Sequence, residues 1–231
     1  GHQSHIHTST GTARWRKTHP GAIIGLLEIS GVDNTVPAPA LKEEKRAVEA
    51  ELRSRYEGFT RKDFRALPVI AAYREYYKRF KKTYHVLQQV ESVAIKGRSL
   101  PNVSPLVDAN FAAELDTLVL TAGHDVDKLQ GKIYIDIAGE SDEMTRMNGA
   151  VKKLYPGDMV MKDDSGVVCS IIYGQDNVSF ITKKTSHVLY VVYAPADVPE
   201  ALVEKQLKKI ESNIYLFSTD ADVEQFALLK T

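Results

Sequence analysis

The sequence predicts one α+β domain in which a mixed or antiparallel sheet is flanked by helices. Good helix formers dominate residues 41–120. After Gly131 short alternating segments separated by turn residues take over, which is the pattern of strands. These strands follow one another without intervening helices, so the repeating βαβ units of a parallel sheet are not indicated. We assign residues 1–20 to a flexible N-terminal tail and residues 21–231 to the single domain.

The first half of the domain is predicted to be one strand followed by helices. Residues 22–29 form a short apolar run bounded by glycines, which is typical of a buried strand. Helices are predicted over residues 41–56, 67–81, 85–96 and 106–120. Pro68 suits the first turn of the second of these helices, and Gly97 suits the C-cap of the third.

The second half is predicted to be a sheet closed by one helix. Strands are expected over residues 132–137, 158–162, 167–173, 178–182 and 188–193. Residues 197–200 resemble a capping box, which would start the last helix. That helix carries Val203, Leu207, Ile210 and Ile214 on one face, as expected for packing against a sheet.

Composition narrows the possible partners and compartments. Lys plus Arg and Asp plus Glu both number 30, so any RNA affinity must come from local patches, and DNA is not an expected partner. No apolar run reaches the roughly 18 residues of a membrane helix, and the first residues lack the apolar core of a signal peptide. The single cysteine, Cys169, cannot form an intramolecular disulfide, which fits a reducing, cytoplasmic environment.

Familiar catalytic motifs are absent, and no cofactor or metal is expected. The sequence has no Gly-rich phosphate loop and no Gly-x-Ser-x-Gly nucleophile elbow. His124 and Asp125 supply too few ligands for a metal site, and Asp125 can equally cap a turn. Cys169 could act as a nucleophile with His124 or His187 as its base, but its apolar strand favours inert packing.

A basic segment in the second predicted helix allows two interpretations. Its cations are interleaved with Tyr76, Tyr77 and Phe80. The cations are Arg74, Lys78, Arg79, Lys81 and Lys82. They could bind RNA phosphates while the aromatic rings stack on bases. The spacing alone favours an amphipathic helix with a buried aromatic side and solvated cations.

The order of several short motifs resembles a known family. The motifs are Arg74 to Lys78, Leu100-Pro101, Leu106 to Asn110, Gly123 to Gly131, Gly139-Glu140, Pro156 to Asp158, Asp164 to Val168, and Thr185 before a strand. This series is similar to the B3/4 domain, the tRNA-editing domain of the β subunit of bacterial phenylalanyl-tRNA synthetase, and to free-standing proteins built from that domain. The likeness extends over about residues 74–193.

The resemblance implies a substrate and a reaction. In the synthetase the domain hydrolyses the ester of tyrosine wrongly attached to tRNA, where positioning and a placed water do most of the work. The implied partner is therefore tRNA or aminoacyl-tRNA, and the basic segment becomes a candidate tRNA contact. No class II catalytic core is visible in the sequence, so the protein should not charge tRNA.

The family's pocket residues carry over in part. Asn110 corresponds to its asparagine. Its strand of small residues falls near Cys169, Ser170 and Ile171, and Gly174 corresponds to a glycine just after that strand. The family's histidine falls on Ala122, with His124 two positions later as a substitute. The candidate substrate-binding residues are thus Asn110, His124, Cys169, Ser170 and Gly174.

One family residue that reads the substrate is missing. The glutamate that recognises the tyrosine hydroxyl falls near Tyr190 or Val191. Without this glutamate, the pocket would suit a substrate whose side chain is aliphatic or differently shaped from tyrosine. No catalytic residue is assigned. Two hypotheses follow, which are a trans-acting aminoacyl-tRNA hydrolase and a non-catalytic module that binds tRNA, an amino acid or a small metabolite.

Overall fold

The computed structural model describes residues 10–84 and 86–231. Within them the helices are α1 (Ala13–Thr18), α2 (Pro39–Arg55), α3 (Arg61–Ala66), α4 (Pro68–Arg79), α5 (Val86–Ala94), α6 (Pro105–Thr117) and α7 (Glu200–Tyr215). The strands are β1 (Thr10–Gly11), β2 (Ile23–Ser30), β3 (Thr121–Asp125), β4 (Tyr134–Ile137), β5 (Glu143–Thr145), β6 (Val151–Lys153), β7 (Met159–Asp163), β8 (Gly166–Ser170), β9 (Gly174–Gln175), β10 (Val188–Ala194) and β11 (Asp222–Lys230).

The strands form two main sheets and one hairpin. One sheet has the order β1-β4-β7-β8-β9, the other has the order β11-β2-β10-β3, and β5 pairs with β6. β1 runs parallel to β4, and the other described pairs are antiparallel. The fold is therefore α+β with a mixed and mainly antiparallel arrangement, which confirms the predicted class.

The central strand β10 contributes to two hydrophobic cores. Tyr190 and Val192 point to one face, where they pack with α6 and α7 in what we call the helix-side core. Leu189 and Val191 point to the other face, where they pack with residues of β4, β7 and β8 in the inter-sheet core. This alternation is the two-residue period of a strand buried on both faces.

Four predicted helices and the apolar stripe of the last helix are confirmed, with small changes at their ends. Helix α6 ends at Thr117 because Leu118 adopts a left-handed conformation with φ 65°. The short helix α3 was not predicted, although Thr60 and Asp63 form a capping box at its start. Residues 222–230, also unpredicted, form an edge strand beside β2.

Two local predictions are wrong. Residues 178–182 form a loop with one isolated bridge, between Phe180 and His124. A strand cannot continue there because the Asp176 carboxylate binds both the N–H and the hydroxyl of Ser179. The expected capping box also fails, since Asp197 has φ 77° and no side chain caps the start of α7.

The chain from residue 10 onward is structured, which shortens the predicted tail. Trp15 on α1 is fully buried in the inter-sheet core. Thr12 caps α1 and also donates to Asp136 on β4, which forms an ion pair with Arg14. A buried tryptophan supplies enough apolar contact to fix so short a segment. Residues 1–9 of the predicted tail lie outside the described residues.

Candidate functional site

His124 lies fully buried on β3, on the face that looks into the inter-sheet core. Its partner across β10 is Leu189, and residues opposite each other share a face of the sheet. His124 Nδ1 lies 2.8 Å from Ser179 Oγ, and Ser179 Oγ donates to Asp176 Oδ1 at 2.7 Å. Because the single serine proton goes to Asp176, the imidazole proton sits on Nδ1 and points at Ser179.

The other imidazole nitrogen of His124 is left as an acceptor. Nε2 is buried and has no hydrogen-bond partner among the described residues. Burial lowers the pKa of His124 to about 3, so the ring is neutral at physiological pH. The arrangement is a histidine oriented by a serine and a carboxylate, with its lone pair unused.

The short strand β9 brings three other predicted residues to the same region. Cys169 and Ser170 on β8 pair with Gln175 and Gly174 on β9. Gln175 Nε2 donates to the Gly123 carbonyl and lies 3.4 Å from His124 Nδ1. Cys169 shares the inter-sheet core with His124. Ser170 pairs with Val160, whose side chain packs on the opposite face of that sheet, so Ser170 and its partner Gly174 lie near this region without lining it.

The Cys169 thiol is packed and protonated. Cys169 belongs to the inter-sheet core, and only 2% of its surface is exposed to solvent. Burial raises the pKa of this thiol to about 12, so little thiolate forms at neutral pH. The geometry supports the packing interpretation over the nucleophile.

Asn110, the fifth predicted residue, lies on the opposite side of the β3–β10 sheet. Its Oδ1 accepts from Gln206 on α7, which also donates to the Thr121 hydroxyl. Thr121 pairs with Val192, whose side chain belongs to the helix-side core. Since the sheet stands between them, Asn110 and His124 do not line one pocket.

The position where the resemblance places a histidine, Ala122, is adjacent to Val191, which is one of the two positions where it places the glutamate. The other, Tyr190, points into the helix-side core. Ala122 on β3 and Val191 on β10 are direct partners in the sheet. Both pack against the inter-sheet core, on the His124 face. The two positions meet in space, and each carries an apolar side chain.

The basic segment is an amphipathic helix end, as its spacing predicted. Tyr73 and Tyr76 are buried, and the cations are exposed. The exposed cations are Arg74, Lys78, Arg79, Lys81 and Lys82. Tyr76 donates to Asp158, whose pKa is raised to about 6 by burial. The rings of α4 thus serve the core and are not available to stack on bases.

Two partly exposed tyrosines from elsewhere in the chain lie beside these cations. The rings of Tyr155 and Tyr173 stack with centroids 5.6 Å apart and planes 14° apart. Lys82 Nζ lies 5.3 Å from the Tyr155 centroid, and Arg146 Cζ lies 5.7 Å from the Tyr173 centroid. The Phe80 ring also contacts Tyr155, with 6.1 Å between the ring centroids. We call these five residues the cation–tyrosine surface.

A cavity between α5 and α6 was not foreseen from the sequence. It has a volume of about 450 Å³ and lies between these helices and the loop of residues 95–104. Its walls include Val90, Val93 and Leu115, with the Glu114 carboxyl among them. Burial raises the pKa of Glu114 to about 8. An acidic residue within the apolar stretch Ala112 to Leu115 was the available signal.

No metal centre or membrane span is present in the part of the chain that the structure describes. There, no group of three or more His, Cys, Asp or Glu side chains is arranged to hold a metal ion. None of the described helices combines the length and apolar character needed to cross a bilayer. The three histidines before residue 10 lie outside the described residues.

The sequence and the fold of this protein were each compared with those of known proteins. A sequence model described as the B3/4 domain matches residues 72–225. The structure is similar to an N-terminal fragment of the phenylalanyl-tRNA synthetase β-subunit from Pyrococcus horikoshii, with 10% identity and a TM-score of 0.51. The match covers 96% of this chain and 51% of that one, so the protein spans about half the fragment. No curated protein matches the sequence.

Proposed function

Because this chain belongs to the B3/4 domain family, we propose that it binds aminoacyl-tRNA in the cytoplasm and hydrolyses the ester of a mischarged tRNA in trans. The cation–tyrosine surface is the observation that carries the tRNA part of this proposal. It combines stacked rings with two cations, Lys82 shortly after the end of α4 and Arg146 between β5 and β6. Its chemistry matches the acceptor end of tRNA, which finishes in unpaired nucleotides.

The surface offers both kinds of contact that single-stranded RNA uses. Lys82 and Arg146 can neutralise phosphates, and a tyrosine ring can stack on a base whatever its identity. Lys78, Arg79 and Lys81 extend the positive charge along the end of α4. Charge confined to one patch fits a chain with no net charge.

His124 is the candidate general base of the proposed hydrolysis. Ser179 and Asp176 orient its ring and leave Nε2 able to accept a proton from water. Nε2 is buried, so water can reach it only after a local movement of the surrounding chain. The proposed reaction therefore includes such an opening.

The test is incubation with a panel of mischarged tRNAs. We expect at least one aminoacyl ester to be cleaved faster than in buffer, and His124→Ala to abolish that cleavage. If every ester in the panel survives at the buffer rate, the protein is not a hydrolase of this class. A matched Ser104→Ala variant should cleave like the wild type.

The RNA contact is tested separately by charge reversal. Lys81→Glu with Lys82→Glu should weaken tRNA binding by about tenfold or more and reduce the slope of affinity against salt by about 2. Lys42→Glu, an exposed reversal on α2, should leave both quantities unchanged. An unaltered salt slope in the double variant would remove Lys81 and Lys82 from the binding surface.

A non-catalytic module is the second candidate, and the burial of the predicted site favours it. Ala122 and Val191 offer no polar group, and His124 has no exposed surface. This function predicts that tRNA or an amino acid raises the melting temperature without turnover. Binding accompanied by ester cleavage would decide for the hydrolase.

A further inference from the structure

The wall of the α5–α6 cavity is held in place by side chains of α2. Three of them bind backbone groups of the loop that forms this wall. Arg53 donates to the carbonyls of Gly97 and Arg98, Glu49 accepts from the N–H of Leu100, and Lys45 donates to the carbonyl of Pro101. Lys45 and Glu49 are at most 1% exposed. Burying charges is costly, and here their hydrogen bonds fix a loop that has no secondary structure of its own.

The inside of the cavity is apolar. Val90, Val93, Leu115 and Leu118 line it and are buried. Its volume of about 450 Å³ lies in the range of pockets that enclose small molecules. A pre-formed apolar space of this size suits the side chain of a ligand.

An acidic and a basic side chain also line the cavity. Glu114 projects from α6, and the only described hydrogen bond of its carboxyl group is a 3.4 Å contact from the N–H of Thr121. Arg98 is exposed, so it lies where the cavity meets solvent. Within residues 10–84 and 86–231 neither side chain forms an ion pair.

We propose that the α5–α6 cavity is a binding site for a free α-amino acid with an apolar or aromatic side chain. Glu114 pairs with the ligand's ammonium group, Arg98 pairs with its carboxylate, and the apolar walls enclose its side chain. An acid, a base and an apolar space in one cavity match the three parts of such a zwitterion. This site goes beyond the proposed hydrolysis, because it takes the free amino acid.

The electrostatics of Glu114 give the site a pH signature. The neutral phenols of Tyr73 and Tyr84 lie near Glu114, and Arg98 lines the same cavity. In the empty cavity the pKa of Glu114 is about 8, so its carboxyl is mostly protonated at pH 7. Pairing with an ammonium group requires the ionised form, so binding releases a proton. Affinity should therefore rise from pH 6 to about pH 8.

The experiment is isothermal titration of the full chain with L-phenylalanine and L-leucine. Three probes each lack one feature: 3-phenylpropionate has no amine, phenethylamine has no carboxylate, and glycine has no apolar side chain. We expect both amino acids to bind and each probe to bind at least about tenfold more weakly. L-Phenylalanine methyl ester should show the same loss, because it cannot pair with Arg98.

Variants assign the two charged contacts. Glu114→Gln and Arg98→Gln should each weaken binding of L-phenylalanine by about tenfold, and Glu114→Gln should also remove the pH dependence between pH 6 and pH 8. Lys96→Gln, a nearby exposed change, is the matched control and should bind normally. If Glu114→Gln does not fold, Arg98→Gln with the methyl ester still tests the site.

Two results would overturn the proposal. One is the absence of binding heat and of thermal stabilisation with either amino acid at roughly 1 mM, a concentration that detects even weak sites. The other is equal affinity for L-phenylalanine and its methyl ester, which would show that the ligand's carboxylate is not recognised.

Discussion

Burial sets the protonation of several individual side chains in this protein. Glu114 and Asp158 have pKa values raised to about 8 and about 6, and the Cys169 thiol is raised to about 12. His124 shifts the other way, to about 3. All four shifts share one cause, because loss of water disfavours the charged form of each group. The neutral forms dominate at physiological pH for three of them, and Asp158 is the exception.

Glu114 should make the folded protein less stable as the pH rises. Its pKa of about 8 in the folded protein exceeds the ordinary glutamate value of 4.5, so the folded state binds the extra proton between these values. Stability is then lost between about pH 4.5 and pH 8. Glu114→Gln should melt about 5 °C above the wild type at pH 9, with little difference at pH 4.5.

Thermal melts of both proteins across this pH range measure the effect. Glu57→Gln, at an exposed glutamate, should follow the wild type throughout. A Glu114→Gln melting curve that tracks the wild type at every pH would show that this carboxyl is solvated.

Single residues differed in how far the sequence could predict them. An apolar neighbourhood predicted the packing of Cys169, and the turn after Asp125 predicted its cap, in which Asp125 Oδ1 accepts from Asp127 N–H. Glu114 stands out in the sequence as an acidic residue in an apolar stretch, but the cavity that it lines could not be predicted, because a cavity depends on where α5 packs and no local pattern records that. The Ser179–Asp176 contact with His124 was hidden because a strand was expected there.

At the scale of elements, one-sided apolar patterns were the reliable signal. The stripe that ends at Ile214 identified α7, and the alternation in residues 132–137 identified β4. Short or marginal elements were missed: α1 depends on the burial of Trp15, and β11 depends on pairing with β2. Such elements are stabilised by tertiary contacts, which sequence periodicity does not contain.

The packing of α7 on the sheet depends on the absence of a side chain at Gly25. A Cβ atom placed there would lie 2.9 Å from Val203 Cγ1 and 3.1 Å from Leu207 Cδ1. Gly25→Ala should therefore push α7 away and lower the free energy of unfolding by about 1–3 kcal/mol. Denaturant unfolding measures this change.

A control substitution at another glycine separates the clash with α7 from the general effect on stability of replacing a glycine. An added Cβ at Gly139 meets nothing closer than 3.5 Å, so Gly139→Ala should unfold close to the wild type. Equal stability of Gly25→Ala and the wild type would mean that α7 does not press on β2.

For the whole molecule, β2 and β10 join the two cores into one cooperative unit. Each strand sends alternate side chains into the helix-side core and into the inter-sheet core. If either core lost its packing, one face of both β2 and β10 would be exposed to solvent. We therefore expect one unfolding transition for both cores.

The only tryptophan provides a test, because Trp15 lies in the inter-sheet core. Ile210→Ala removes packing from the opposite, helix-side core and should destabilise the protein by about 2–4 kcal/mol. Trp15 fluorescence and far-ultraviolet circular dichroism should then shift together to the same lower midpoint. Lys208→Ala, an exposed change on the same helix, should leave both midpoints in place. A Trp15 transition that stays at the wild-type midpoint would show two independent units.

The candidate sites show why function was harder to predict than fold. Motif order indicated the B3/4 family, and the inter-sheet neighbours of His124 were predicted in part. The cation–tyrosine surface unites Lys82, Arg146, Tyr155 and Tyr173, which are distant in sequence. The β3–β10 sheet separates Asn110 from His124, although both motifs lie close along the chain.

The attachment of the α5–α6 cavity to α2 fixes the loop on one side of the cavity. Arg53 also holds the carboxyl end of α5 through the Val93 carbonyl. The rest of α5 is held by the packing of Val90 in the helix-side core and by the partly exposed Arg61–Glu91 ion pair, a type of contact worth at most about 1 kcal/mol. We expect the loop to govern which shapes the cavity accepts, and movement of α5 to govern how fast an occupant exchanges. Selectivity and exchange rate should then respond to separate mutations.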